Sequence, residues 1–325
     1  DAVRATVTLT FGAMKVGLLQ PQASPFTGRL EVAAEIGLVA CPFKTELNWT
    51  LPGDFAHFPP PRPVAGHKGT FGHLAIFAGS QGYHGAAVLA ARGALRAMPG
   101  LVSVFTTERA YPLVAAQLAQ PMVHPWEEGT SLPKSCSAVL IGPGLAGVDV
   151  PKSLVQAAAR LWRESPLPVI ADASALGWLP PGPVPAEVLR VVTPHPGEAA
   201  AMLGCAKDGV LADRATALRE ISRRWGECWV VLKGRHTLVG GGRGELFVNS
   251  SGNPQLAQGG SGDVLAGYLG GWLAQPPLRG DAELAIRHAV WEHGHAAEVL
   301  SARQRSWEMA DLVQLLGNAT AAGPG

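Results

Sequence analysis

From His73 onward the chain alternates short apolar runs with alanine-rich stretches, and few architectures can absorb that order. The runs are Leu74-Ala75-Ile76-Phe77, Leu101-Val102-Ser103-Val104-Phe105, Ala138-Val139-Leu140-Ile141, Pro168-Val169-Ile170-Ala171, Val191-Val192-Thr193 and Trp229-Val230-Val231-Leu232. Each is short and apolar throughout, the pattern of a strand covered on both faces. Between them lie Gly85 to Met98, Pro151 to Glu164 and Asp213 to Gly226, which read as helices. Such an order predicts an α/β fold with a mostly parallel central sheet flanked by helices. Val239 to Glu245 predicts a turn between two further strands, a hairpin added to that sheet.

The front of the chain reads differently. Ala5 to Phe11 is β-branched and alternating, and Arg29 to Ala33 and Glu35 to Leu38 are two more strand-like runs. A Pro-rich stretch from Pro52 to Pro63 follows, a linker or extended arm. The expected divisions are a segment over 1–50, a linker over 51–66 and the main domain over 67–325. The first residue is Asp1, not Met, and the expectation is a fragment of a longer chain, or a processed one.

Composition narrows the function classes. A content of 47% hydrophobic and 16% charged residues supports a sizeable core and excludes a disordered chain. The formal net charge of +1, with no block of Lys or Arg, argues against a nucleic-acid surface. No apolar run is long enough to span a membrane. Cys41, Cys136, Cys205 and Cys228 are scattered, without a C-x-x-C pair, which suits reduced, buried thiols in a cytoplasmic protein. His67, His73 and His84 show no recognisable metal-ligand spacing.

In open α/β sheets, ligands sit at the carboxyl ends of the strands. Those ends carry Gly79-Ser80, Thr106-Thr107, Gly142-Pro143-Gly144, Asp172, Pro194-His195 and Lys233-Gly234. Ordinary turn chemistry explains the glycines but explains Asp172, His195 and Lys233 less well. The strongest motif runs from Asn253 to Gly267 and contains Gly259-Gly260-Ser261-Gly262-Asp263. The apolar residues Val264, Leu265, Tyr268, Leu269, Trp272 and Leu273 then recur at helical spacing, so the glycines open a helix. Converging backbone N–H groups and the positive end of a helix dipole make such a loop a phosphate grip. Asp263 is either the N-cap of that helix or a carboxylate placed to take a proton from a substrate hydroxyl.

No G-x-x-x-x-G-K-[ST] is present. Gly142 to Gly147 matches G-x-G-x-x-G after a strand, either as a ligand-approaching turn or as plain punctuation. His195 is fixed between two prolines, and Glu198 three residues on suits a helix start. Lys233 can neutralise phosphate and Thr237 can donate a hydrogen bond to it, whereas Arg235 and His236 also fit a solvated turn.

Five stretches, in this order, resemble the NAD(P)H-hydrate dehydratase family: His67-Lys68-Gly69-Thr70-Phe71-Gly72, Gly142-Pro143-Gly144-Leu145, Thr193-Pro194-His195-Pro196-Gly197-Glu198, Leu232-Lys233-Gly234 and Asn253 to Gly267. The resemblance covers His67 to about Leu316. It implies a ribokinase-like three-layer fold and an ADP-dependent dehydration, ATP serving in other members, that returns the S form of NAD(P)H hydrate to NAD(P)H. By the same resemblance Asp263 is the catalytic base, and Gly259, Gly260, Ser261 and Gly262 hold the phosphate charge. Lys233, Gly234, Arg235, His236 and Thr237 contact the nucleotide. Ala86, Gly144, His195 and Asp263 contact the substrate. Mg²⁺ is expected with the nucleotide, and a homo-oligomer is expected.

The Thr6 to Gly12 and Lys15 to Leu19 stretches resemble the carboxyl-terminal end of the companion NAD(P)H-hydrate epimerase. Only its last strands are represented, so no epimerase activity is expected. Two other readings share the glycine loop: a small-molecule kinase of the same fold, and a non-catalytic nucleotide-binding protein. The motif around His195 and the Lys68-Gly69-Thr70 entry favour the dehydratase.

Overall fold

The computed structural model describes residues 2–34, 36–39, 45–185 and 187–319. Its centre is a ten-stranded sheet. The strands, in chain order, are β3 (Leu47–Trp49), β4 (His73–Phe77), β5 (Leu101–Thr106), β6 (Met122–Pro125), β7 (Ala138–Ile141), β8 (Val169–Ala171), β9 (Arg190–Val192), β10 (Trp229–Leu232), β11 (Leu238–Gly240) and β12 (Leu246–Val248). Two earlier strands, β1 (Val7–Phe11) and β2 (Arg29–Ala33), form a separate parallel pair.

Across the main sheet the order is β3-β12-β11-β10-β9-β8-β7-β4-β5-β6. From β10 to β6 every pairing is parallel. The carboxyl ends of these seven strands therefore share one edge. β10, β11 and β12 run antiparallel to one another, as the expected hairpin requires.

The strand side chains explain the layers. Leu74, Ile76, Leu140, Ile170, Val191 and Val231 point to one core, and Ala75, Phe77, Val139, Ile141, Val192 and Val230 to the other. This two-residue alternation, apolar on both sides, is what the uninterrupted apolar runs encode.

Helices α2 (His84–Arg96), α8 (Ser261–Leu273), α9 (Ala282–Arg303) and α10 (Met309–Leu315) cover the first face. Helices α4 (Lys152–Glu164), α5 (Pro196–Leu203), α6 (Lys207–Ala212) and α7 (Arg214–Arg224) cover the second. Two short helices, α1 (Ser24–Thr27) and α3 (Tyr111–Ala115), are the remaining α-helices among the described residues. α2 and α8 meet backbone to backbone, since a Cβ on Gly267 would lie 1.9 Å from the Ala90 carbonyl oxygen. That contact fixes where the first turn of α8 stands.

One expected strand is absent among the described residues. Ile36 to Leu38 is not a strand, and Glu35 lies outside the described residues. β3, which falls within the span 1–50, pairs with β12 and forms the edge of the main sheet. The Pro-rich stretch is a seated arm: Phe55 and Phe58 are buried, with ring centroids 5.3 and 5.0 Å from that of His288 on α9. Burying each phenylalanine stabilises that arm by about 1.5–3 kcal/mol. Of the four cysteines, expected to be buried thiols, Cys136, Cys205 and Cys228 are free; Cys228 is buried, Cys136 partly buried and Cys205, just past the end of α5, exposed, while Cys41 lies outside the described residues.

Candidate active site

The shared edge collects charge. Asp172 follows β8 and is 1% exposed. Its Oδ1 accepts from Thr193 Oγ1, just past β9, at 2.7 Å. The same oxygen accepts from Lys233 Nζ, just past β10, at 2.7 Å. Glu198 Oε2 lies 3.9 Å from the same ammonium. Three neighbouring parallel strands thus deliver one residue each to a single ion-paired cluster. Burial alone would lower the Lys233 pKa, but Asp172, Glu198 and Asp263 outweigh it and raise it. The lysine is a fixed cation.

The glycine loop faces this cluster. A Cβ on Gly262 would lie 3.4 Å from Lys233 Nζ, so the start of α8 abuts the lysine. Gly260, not Asp263, is the N-cap; its φ of +93° is left-handed, and a Cβ there would lie 2.4 Å from Leu89 Cδ1. Only glycine fits both demands. Asp263 occupies the third helical position, in the first turn. Of the two readings of Asp263, the N-cap is therefore excluded. Burial, then repulsion from Asp172 and Glu198, pushes the Asp263 pKa up to about 7, against the pull of Lys233. A carboxyl poised near neutrality, beside a helix start that favours anions, has the properties of a general base. Beneath it, His293 Nε2 lies 3.1 Å from the Ser261 carbonyl oxygen, and burial pulls its pKa down to about 4, so it is a neutral donor.

His195 caps α5. Its Nδ1 accepts from the N–H groups of Gly197 and Glu198 at 3.0 and 3.1 Å, and the His195 backbone N–H donates to Glu198 Oε2 at 2.8 Å. This reciprocal box fixes the ring and leaves Nε2 toward solvent, 3.6 Å from Glu198 Oε1. The H-x-x-E spacing was the readable signal for it. Ala86 and Gly144 meet: a Cβ on Gly144 would lie 2.7 Å from Ala86 Cβ. Ala86 is one turn along α2 from Leu89, whose Cδ1 would meet a Cβ on Gly260.

The turn from Lys233 to Thr237 is held in place by its surroundings. Arg214, at the start of α7, donates to the carbonyl oxygens of Leu232, Arg235 and His236 at 2.9, 2.7 and 3.1 Å. Thr237 Oγ1 donates back to the Gly234 carbonyl at 3.1 Å. Arg235 turns toward the front segment, and His236 packs on Trp49 with ring centroids 5.2 Å apart. Burial, with Arg235 and Arg214 nearby, lowers the His236 pKa to about 4, so its ring is neutral.

Sequence reasoning did not count Asp172, Glu198 and Arg214 among the site residues. The position of Asp172 at a strand end was a visible signal, whereas nothing local marked Arg214. Beside the main cluster, Asp149 accepts from Thr107 Oγ1 at 2.5 Å and from the Gln81 N–H at 2.9 Å, closing the ends of β4, β5 and β7. The His67 to Gly72 stretch precedes β4 and lies at the opposite edge, where Gly72 accepts from the Leu101 N–H. Within one chain it does not join the site.

The chain is similar to proteins of known function. The model of the NAD(P)H-hydrate dehydratase family matches residues 74–318. The chain belongs to that family. A bifunctional NAD(P)H-hydrate repair enzyme of Gloeobacter violaceus is 38% identical over 324 residues, covering 93% of this chain and 61% of its own length. An ADP-dependent (S)-NAD(P)H-hydrate dehydratase of Neisseria meningitidis is 36% identical over 251 residues, covering 76% of this chain and 83% of its own.

The crystal structure of the ADP/ATP-dependent NAD(P)H-hydrate dehydratase of Bacillus subtilis, co-crystallised with ATP and Mg²⁺, superposes with a TM-score of 0.69 at 30% identity, over 81% of this chain and 93% of that one. A ribokinase-like superfamily protein of Enterococcus faecalis superposes with a TM-score of 0.73 at 23% identity, over 87% of this chain and 98% of that one. The fold is ribokinase-like. The chain spans 61%, 60% and 57% of the length of three bifunctional relatives.

Proposed function

We propose that this chain carries out the nucleotide-dependent dehydration of the S form of NAD(P)H hydrate to NAD(P)H, with ADP as phosphoryl donor and AMP and phosphate as products. The observation that carries the reading is Asp263, held near neutrality in the first turn of α8, beside Lys233 and the loop amides. Asp263 takes the proton of the ring hydroxyl as its oxygen attacks the terminal phosphorus of ADP and AMP departs. The N–H groups of Gly259 to Gly262 and the ammonium of Lys233 hold the charge of the phosphoryl in transit. The ring nitrogen then expels the new phosphate, and loss of a ring proton restores the double bond. Ala86, Gly144 and His195 line the substrate side, and the turn from Gly234 to Thr237 lines the nucleotide side.

Asp172, Glu198 and Asp263 oppose a single lysine, so the site is acidic for a polyphosphate. Among the described residues no three His, Cys, Asp or Glu side chains are placed to cage a metal by themselves. That donor set fits Mg²⁺ arriving on nucleotide phosphates, with Glu198 or Asp172 as an outer partner. When bound, the ion would neutralise phosphate charge.

Residues 67–325 form the dehydratase unit in this reading, with 51–66 as its arm and 1–50 as the end of an epimerase-like part. Relatives with bifunctional names align over 91–97% of this chain, which supports that division. Among the described residues no helix is long and apolar enough to cross a membrane. A cytoplasmic homo-oligomer working with an epimerase completes the proposal. The deciding assay supplies hydrated NADH with ADP or ATP and follows the return of reduced-nicotinamide absorbance. If that absorbance does not return while another alcohol becomes phosphorylated, the chain is a kinase instead.

A further inference from the structure

Residues outside the family match close on the nucleotide turn. Arg235 Nη1 donates to the Ser24 carbonyl at 2.8 Å, and its Nη2 donates to Thr27 Oγ1 at 2.9 Å and to the Gly28 carbonyl at 2.7 Å. On the next residue, the His236 ring packs on Trp49. Residues 24–28 and 49 all precede the matched span of 74–318. The segment that grips Arg235 is itself anchored: Thr8 Oγ1 donates to the Thr27 carbonyl at 2.7 Å, and the Arg29 N–H donates to the Thr6 carbonyl.

We infer that the front segment is a working part of the nucleotide site, with Arg235 as a positioning residue that ties residues 24–28 to the Lys233–Thr237 turn, not as a ligand of the nucleotide. This rests on the proposed nucleotide site. Three acceptors from one segment commit the guanidinium, whose charge-assisted hydrogen bonds are stronger than neutral ones. The turn is then braced from two sides, by Arg214 from inside the domain and, through Arg235, by residues 24–28 of the front segment, with Trp49 of β3 packed on His236. Coupling of this kind is reciprocal: if the segment favours the nucleotide-binding form of the turn, nucleotide must tighten the segment.

Hydrogen exchange of the whole chain with and without ADP and Mg²⁺ tests this, together with kinetics of Thr27→Val and Arg235→Ala. ADP is expected to slow exchange at the loop amides of residues 259–263 and also at the amides of residues 26, 27 and 29. The second effect is expected to vanish in Arg235→Ala. Thr27→Val, outside the Lys233–Thr237 turn, is expected to raise the KM for ADP roughly threefold at unchanged kcat. It is expected to add nothing in the Arg235→Ala background, as a shared interaction requires. Protection of 259–263 without protection of 26–29, or a Thr27→Val variant with unchanged KM, overturns the inference and leaves the proposed function intact. No protection at either place overturns both.

Discussion

Replacing Asp263 by Asn is expected to make the protein more stable and nearly inactive, an unusual pair of outcomes that follows from one number. The folded protein holds this carboxyl at about 7, against an ordinary 3.8. A folded-state value above the unfolded one means the native state binds the proton more tightly. Below about pH 4 both states are protonated and the residue costs nothing. Between about 4 and 7 stability drains away as pH rises, and above 7 the full penalty applies. Its ceiling is about 4 kcal/mol. The carboxyl is partly open to solvent, and the first turn of α8 favours its negative charge by about 0.3–1 kcal/mol, so a gain of about 1–2 kcal/mol is expected for the amide near pH 8. Denaturant unfolding of both proteins near pH 4 and pH 8 measures it. Loss of the base is expected to reduce turnover by about 100- to 10,000-fold with ADP binding kept. An Asp263→Asn variant that is less stable near pH 8, or that keeps most of its activity, would refute the account of Asp263 as a strained base.

The pH dependence of kcat/KM for the unmodified protein should rise to a plateau above about 7, and Asp172→Asn, which removes a repelling charge, should move that limb to lower pH. Lys233→Ala leaves Asp172 buried without its cation, so thermal or urea unfolding should show a loss of about 3–5 kcal/mol. Gly260→Ala forces a left-handed φ and a Cβ 2.4 Å from Leu89 Cδ1, and about 1–3 kcal/mol of strain should weaken ADP binding, measured by calorimetry, at least about tenfold.

The sheet was legible because burial on both faces leaves an uninterrupted apolar run, and six such runs coincide with β4, β5, β7, β8, β9 and β10. β6 was not, since Met122–Pro125 lies at an edge and mixes exposed with partly buried residues. β3, three residues long, carries no pattern at all. At the site, the glycine loop could be read because helix starts and phosphate grips need the same backbone. The exact cap could not, because Gly260 is selected by Leu89, a contact made by tertiary packing. The same holds for Lys233 with Asp172, 61 residues apart, and for Arg235 with Thr27, 208 apart. Chemistry at strand ends can be enumerated from sequence, but its pairings follow from strand order, which no local pattern spells out.

Strand order also sets the charge the site presents to its ligand. Adjacent β8, β9 and β10 bring Asp172, Glu198 and Lys233 together, and packing of α2 on α8 adds Asp263. A nucleotide diphosphate entering alone would set its own negative charge against three carboxylates, and would push Asp263 further toward the protonated form, where it cannot act as a base. Positive charge brought with the phosphates reverses both effects. ADP titrated by calorimetry in the presence of Mg²⁺ should therefore bind at least about tenfold more tightly than in excess chelator, roughly 1.4 kcal/mol. The chelated titration should also show proton uptake on binding near pH 7, because the nucleotide's charge raises the carboxyl's affinity for its proton. Equal affinity in the two conditions, with no proton taken up, would mean that the phosphates do not approach Asp263, and the placement of ADP at the glycine loop would fail with it.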